Sequence, residues 1–489
     1  MKRLFLVLSV LFFLFSVVPF QSCTKDDIEK EEEPEFKDPK QEEREKIVAT
    51  NRFYMKKYYE EYFPYYFWYD DVIQKVDKLK FENFSTINEY FKATLFSGDR
   101  WSWMMTADEY LSSEAGEQTG TYGVSLGQAI KFYGDYSIKV RFIYPGSPFE
   151  KFGVTRGWTL THMDSVPVMD YVASGKFNKA LYKENQLFTF KDLKGEPHTF
   201  NASPLSTLST RPGLKAQVFE PGDYPGLTEP VGYFLYMSFK ANFLEDIDNA
   251  FALFKEAGVK KVILDLRYNG GGDSRAEKLL VSYLAPQSAD GQVFKRIIHN
   301  KLLTQYNSID TIARKDNSLD LDQLYVIGGE GTASASEVTI NGLKPFMDLY
   351  LVGDTTYGKP NGMYVLYYPG TDEDYARYDN DDFSTLKLVF LPIAFFSKNG
   401  RSESIPYNGF VPDCLCPDDL NHDFGVEENN IKACLEHIVN GSFPSMFGTS
   451  PRIQTRTSVP EAGSRIPDDL MASPLYGKTL LPAPKELRK

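Results

Sequence analysis

Val262-Ile-Leu-Asp-Leu-Arg-Tyr-Asn-Gly-Gly-Gly272 reads as an apolar strand that runs straight into three glycines. Val262 to Leu266 is apolar except for Asp265, the composition of a strand covered on both faces of a sheet. Glycines let the backbone turn sharply and bring its N–H groups close to a ligand. A helix is expected directly after them, from Asp273 to Leu284. A strand-to-helix turn of this kind aims N–H donors at a developing oxyanion in one chemistry and at a phosphate in another. In many proteins it is only a turn.

Working outward, the pattern repeats. Gly232 to Ser238 reads as a strand, Glu245 to Ala257 as a helix stopped by Gly258. Leu324 to Ile327 is a strand, Ala333 to Leu343 a helix, and Leu349 to Val352 a further strand. Strands alternating with helices predict an α/β core. The second strand-to-helix junction is Gly328-Gly-Glu-Gly-Thr-Ala-Ser-Ala-Ser-Glu337. It puts Ser334 in the first turn of its helix, exposed at the sheet's edge, where unpaired N–H groups favour an anion. Ala333 and Ala335 leave room for a substrate backbone, although Thr332, Ser334 and Ser336 are each also suited to cap the helix. The third segment is Gly353-Asp-Thr-Thr-Tyr-Gly-Lys359-Pro360. A lone loop lysine is ordinarily a solvated charge. None of the three segments contains a histidine, so a serine nucleophile here needs another base, and a lysine neutralised by burial is one.

The flanking regions read differently. Glu42 to Phe63 is expected to be a helix with Ile47, Tyr54, Tyr58 and Tyr62 on one stripe, ended by Pro64. A second helix runs from Thr86, with Glu89 completing a capping box, to about Phe96, and Asp99-Arg100-Trp101-Ser102 closes a small helical domain whose aromatic stripe reads as packing. From about Thr119 short strands and glycine turns take over: Tyr122 to Gly127, Ser137 to Ile143, and Gly157 to Val168 with a turn near Asp164-Ser165. After about Ser442 the chain is rich in Pro, Ser and charge and is expected to be irregular.

The N-terminus carries Lys2 and Arg3, an apolar run from Leu4 to Phe20, then Gln21-Ser22-Cys23, the layout of an export signal. An acidic, apolar-poor stretch follows, which predicts a solvated tether. The net charge of −13 and the lack of a basic stripe argue against nucleic-acid binding. Cys414, Cys416 and Cys434 are an odd set, read as a structural disulfide with one thiol over or as buried thiols; with only five histidines a metal site is not expected.

The three core segments, in this order, resemble the carboxyl-terminal processing, or tail-specific, serine peptidases. In that family the middle serine of a Ser-Ala-Ser-Ala-Ser-Glu-like box is the nucleophile, which implies Ser334, and the catalytic lysine lies 25 residues on, which is Lys359. Thr332 stands at the box's first serine. The resemblance implies an oxyanion hole from the N–H groups of Gly271 and Ala335. Some members orient the lysine with an acid that falls here on Glu337; others use a position occupied here by Pro345. The implied fold is α/β, a crotonase/ClpP-like peptidase core with a PDZ domain and a small N-terminal helical domain like that of secreted lipoprotein members. Residues 116 to 205 resemble the PDZ domain, whose carboxylate-binding loop corresponds to Tyr122, Gly123, Val124 and Ser125; Trp158 stands where that family has Asp. Cys23 resembles the lipid-bearing cysteine of a bacterial lipobox, with Phe20 in place of the usual Leu.

These readings divide the chain into a signal peptide (1–22), an acidic tether (23–41), a helical domain (42–115), a PDZ-like domain (116–210), a peptidase core (211–445) and a tail (446–489). They imply an exported, lipid-anchored peptidase of the outer membrane, on its periplasmic or cell-surface face, acting on polypeptides without metal or cofactor. A catalytically silent binder on the same fold and an acyl-CoA enzyme of the crotonase type are the alternatives. Export argues against the second, since CoA thioesters are cytoplasmic.

Overall fold

The structure, a computed structural model, describes residues 39–129, 134–321, 323–370, 373–374, 377, 383–444 and 480–482. The signal segment, Cys23 and most of the tether lie outside the described residues.

The expected core sheet is present. Its strands run in the order Gly213–Phe219, Val231–Tyr236, Lys261–Asp265, Gln323–Gly328, Asp348–Gly353 and Cys414–Leu415, parallel except for the first pair. Helices Leu244–Glu256, Ser274–Leu284 and Ala335–Leu343 share one apolar cluster with the sheet. Helix Asn429–Asn440 shares a second one. Sandwiching explains why every residue of Val231–Tyr236 is buried and why the strand reads as a continuous apolar run. In chain order, the helices carry the chain back so that the ends of Lys261–Asp265 and Gln323–Gly328 lie side by side, Asp265 opposite Ile327.

A second large sheet was not anticipated. Its order is Trp103–Thr106, Leu386–Leu391, Asn361–Pro369, Ile393–Lys398, Val293–His299 and Ser308–Thr311. Leu480–Pro482 pairs in parallel with Met363–Val365, so the tail expected to be irregular contributes a strand. The aromatic residues of the N-terminal segment pack on this sheet rather than forming a core of their own. Tyr54, Tyr58, Tyr62, Phe63, Tyr90 and Phe91 are buried in one cluster with Leu366, Tyr368, Val389 and Phe390. Tyr62 Oη donates to the Tyr367 carbonyl at 2.6 Å, and Phe67 N–H to that of Ile393 at 2.7 Å.

The first helix is Pro39–Lys57, continued by a wider turn at Tyr58–Tyr62. It starts inside the expected tether. Ile47 does not join the buried stripe and is 54% exposed. The helix's first turns carry only Ile47 and Val48 as large apolar residues among Lys, Glu and Arg, too little apolar surface to bury. At the second expected helix, observed as Ile87–Thr94, Thr86 Oγ1 accepts from Glu89 N–H, but the Glu89 carboxylate reaches Ser85 N–H instead of closing the box. The reciprocal capping box forms at Thr106 and Glu109.

Residues 124–202 form a separate small sheet, in the order Val124–Ala129, Asp135–Ile143, Thr159–Met163, Gln186–Lys191 and Pro197–Ala202, around its own aromatic core. Asp164 and Ser165 both take positive φ, as the expected turn requires. An antiparallel ribbon of Glu117–Thr121 and Leu205–Ser209 leads into and out of this sheet. Arg156, buried, ties it to the core: its guanidinium donates to Asp418 Oδ1 at 2.6 Å and to Tyr268 Oη at 2.7 Å. Asp418 in turn accepts from Arg267 at 2.9 Å, which also holds Asp265 and Glu428. Cys414, Cys416 and Cys434 are buried free thiols, not a disulfide; burial pushes Cys414 up to about 11.

Candidate active site

The two strand-to-helix turns are stapled together by side chains that the sequence presents as equivalent. Thr332 Oγ1 donates to the Leu266 carbonyl at 2.8 Å, and Ser336 Oγ to that of Asn269 at 2.8 Å. Ala333 N–H donates to the Asn269 carbonyl at 3.1 Å. Two of the three neighbouring hydroxyls are therefore structural, and Ser334 is the one between them. Asn269 is itself fixed, its Nδ2 donating to the Tyr236 carbonyl at 2.8 Å and its Oδ1 accepting from Gly271 N–H at 2.9 Å.

Ser334 is not in the first helical turn and not exposed. It is the N-cap of Ala335–Leu343, buried, with φ +60° and ψ −116°. A non-glycine residue in that conformation is strained and persists because its surroundings over-determine it. Here they do: Ser334 N–H donates to Glu337 Oε2 at 3.0 Å, and a Cβ placed on Gly271 would stand 2.9 Å from Ser334 Cβ, Ala333 O and Ala335 N. Gly271 takes φ +103° at this contact. Among the described residues, no acceptor engages the Ala335 N–H, as expected of the first residue of a helix.

The lysine loop folds onto the same glutamate. Thr356 Oγ1 and Gly358 N–H donate to Glu337 Oε1 at 2.6 and 2.7 Å, and Lys359 N–H to Oε2 at 2.8 Å. Burial raises the Glu337 carboxyl above its ordinary value, and these donors work against that rise. Glu337 thus acts on the main chain around Lys359, and it makes no hydrogen bond to Nζ.

Lys359 is fully buried. Its Nζ has one polar contact among the described residues, Met363 Sδ at 4.0 Å. Burial brings its pKa down to about 7, opposed by the negative charges of Asp99 and Glu337. An amine so placed is neutral in a substantial fraction at neutral pH, which a solvated lysine is not. Asp99 was not singled out as a site residue from the sequence. It lies 260 positions before Lys359, and only the packing of the aromatic layer brings it in.

The four residues of the expected carboxylate-binding loop sit in one place, although they are not open. Tyr122 is buried, with Oη donating to the Lys183 and Ala202 carbonyls at 3.1 and 3.2 Å. Gly123 N–H donates to Thr121 Oγ1 at 3.0 Å. Val124 and Ser125 begin the edge strand, opposite Ile143 and Phe142. Leu208 of the ribbon covers the turn, and a Cβ on Gly123 would lie 2.1 Å from its Cδ2.

Residues 230–385, which contain both turns and the lysine loop, match the model of peptidase family S41. This part of the chain is similar to the S41 peptidase domain. Over 231 residues the chain is 26% identical to the chloroplastic C-terminal processing peptidase of Tetradesmus obliquus, covering 44% of this chain and 46% of that protein. Over 281 residues it is 25% identical to the chloroplastic carboxyl-terminal-processing peptidase 3 of Arabidopsis thaliana, covering 54% and 50%. The chain thus spans about half the length of these curated relatives. An S41 protease structure from Bacteroides fragilis NCTC 9343 superposes with a TM-score of 0.61 at 20% identity, covering 80% of this chain and 97% of that one. That likeness extends the S41 fold beyond the matched domain.

Proposed function

We propose that the chain is a serine endopeptidase of the carboxyl-terminal processing kind, with Ser334 as nucleophile and Lys359 as its base. The observation that carries the reading is the buried Lys359, held to the Ser334 turn through Glu337, with burial bringing its pKa down to about 7. The neutral amine takes the Ser334 hydroxyl proton as Oγ bonds to the scissile carbonyl carbon. The ammonium then gives that proton to the leaving amine, and water releases the acyl group by the reverse sequence. The open Ala335 N–H supplies one oxyanion donor. Gly271 supplies the second once its N–H turns from Asn269 Oδ1 toward the oxyanion. Both Ser334 and Lys359 are closed to solvent here, so a substrate strand enters only when the covering segments part.

The same proposal assigns substrate capture to the small sheet. An extended polypeptide adds to the outer strand Val124–Ala129 of this sheet, with its carboxylate at the turn of Tyr122 to Ser125. Displacement of Leu208 is a condition of that binding. Anchoring through a lipid on Cys23 would place the enzyme at the outer membrane among exported polypeptides. A silent binder on the same fold remains the second reading, favoured by the closed site. A fluorophosphonate probe separates the two: wild type is labelled and cleaves an unstructured protein, whereas Ser334→Ala does neither. Labelling that persists in Ser334→Ala, or its absence from an active wild type, overturns the assignment.

A further inference from the structure

The turn Asp99-Arg100-Trp101-Ser102, which the sequence offers only as the end of a helical segment, is built against the lysine loop. The Asp99 carboxylate is held by four donors: Trp101 and Ser102 N–H on Oδ1 at 2.8 and 2.9 Å, and Tyr66 Oη and Ser102 Oγ on Oδ2 at 2.7 and 2.5 Å. Ser102 Oγ also accepts from Ile393 N–H at 2.9 Å. Ile393 is the register partner of Met363, whose sulfur touches Lys359 Nζ. From the next position, Arg100 reaches the residue before the lysine. Its Nη2 donates to the carbonyls of Gly358 and Tyr407 at 3.4 and 3.1 Å, and its guanidinium lies over the Tyr357 and Trp101 rings.

Glu337 makes no hydrogen bond to Nζ; its two oxygens take four donors from the main chain and Thr356. The titratable and charged groups in the elements packed about Lys359 include Glu337 from the helix, Asp99 and Arg100 from the turn, Tyr364 from the strand of Met363, and Tyr357 and Tyr407 from the flanking loops. Tyr66 and Tyr58 face Asp99 from the aromatic layer. Asp99 is the carboxylate with the largest effect on Lys359, ahead of Glu337.

We propose that Asp99 is a positioning residue for Lys359, the counter-charge for the ammonium that forms when the amine takes the Ser334 proton, and that Arg100 fixes the lysine loop by its Gly358 carbonyl. This rests on the reading of Lys359 as base. When the Oγ–H proton moves to Nζ, a cation appears in a buried pocket with no oxygen acceptor of its own. A fixed carboxylate lowers the energy of that state, much as the third member of a Ser–His–Asp set does for imidazolium. The helical segment, on this view, completes the active site.

The test reads the lysine directly. Full-length protein carrying ε-13C lysine is titrated by NMR in the Ser334→Ala background, with the Lys359 signal identified by its loss in Lys359→Met. Asp99→Asn and Asp99→Ser are both made, so the result does not hang on one variant's folding. The Lys359 midpoint is expected to fall by about half a pH unit or more when the carboxylate is removed, and Asp99→Glu to restore it in part. In the active protein, Asp99→Asn is expected to lower kcat with KM little changed. An unmoved midpoint in the neutral variants overturns the inference alone. A wild type that never cleaves overturns the peptidase reading, whatever the titration shows.

Discussion

Ser334 and Lys359 hang from a single oxygen atom: both main-chain N–H groups donate to Glu337 Oε2, at 3.0 and 2.8 Å. The proposed nucleophile and its proposed base are thus registered by their backbones, before either side chain contributes. In Glu337→Gln the amide nitrogen cannot accept, so N–H donors now paired with a carboxylate oxygen face another donor. Buried donors left unpaired cost about 1–3 kcal/mol each. We expect at least a hundredfold loss of kcat/KM and a lower Tm, measured together on one preparation. A glutamine variant with near wild-type cleavage contradicts the registering role.

The neutral lysine has a consequence for stability. The unfolded Lys359 binds its proton up to about pH 10.4, whereas the folded one loses it near 7. Between those values the unfolded state holds the extra proton, so stability rises with pH across this window and the full cost is present below it. Lys359→Met removes that cost. The variant is expected to be inactive yet to melt above wild type at pH 6–8, the gap shrinking as pH approaches 10. Equal melting curves at every pH would show that Lys359 is not buried as a neutral amine.

The same titration sets the pH dependence of cleavage. Since the free amine is the competent form, kcat/KM is expected to climb through an acid limb with its midpoint near 7 and then level. A profile flat from pH 5 to 9 argues for a different base.

Gly271 admits no side chain. Its φ of +103° is one that L-residues rarely adopt, and a Cβ would press on Ser334, Ala333 and Ala335 within 2.9 Å. Gly271→Ala is expected to abolish probe labelling at Ser334 and to cost on the order of 1–3 kcal/mol of stability. Wild-type labelling in this variant would mean that the two turns are not packed as described.

The α/β core was legible because its central strands, Val231–Tyr236, Lys261–Asp265 and Gln323–Gly328, are almost wholly buried and the two junctions at the site carry glycines. Ser334, Lys359 and Glu337 were legible as residue types at a fixed spacing. What could not be read was their environment. A serine at an N-cap and a serine in a first turn look alike in sequence, so Ser334 was expected to be exposed. The sorting of Thr332 and Ser336 as staples depends on carbonyls 66 and 67 residues away. The second sheet escaped because its strands are scattered along the chain, from Trp103–Thr106 through Val293–His299 to Ile393–Lys398, so no local pattern joins them. The stripe at Tyr54, Tyr58 and Tyr62 announced packing, but nothing local named the partner.

That partner arrives late. The bond from Tyr62 Oη to the Tyr367 carbonyl spans 305 residues, which at synthesis rates of about 5–20 residues per second is roughly 15–60 s of chain growth. For that interval the aromatic face has nothing to cover it. Such a chain has no assembled catalytic centre until nearly all of it has been made. The late closure of the aromatic layer therefore carries a long exposure to aggregation.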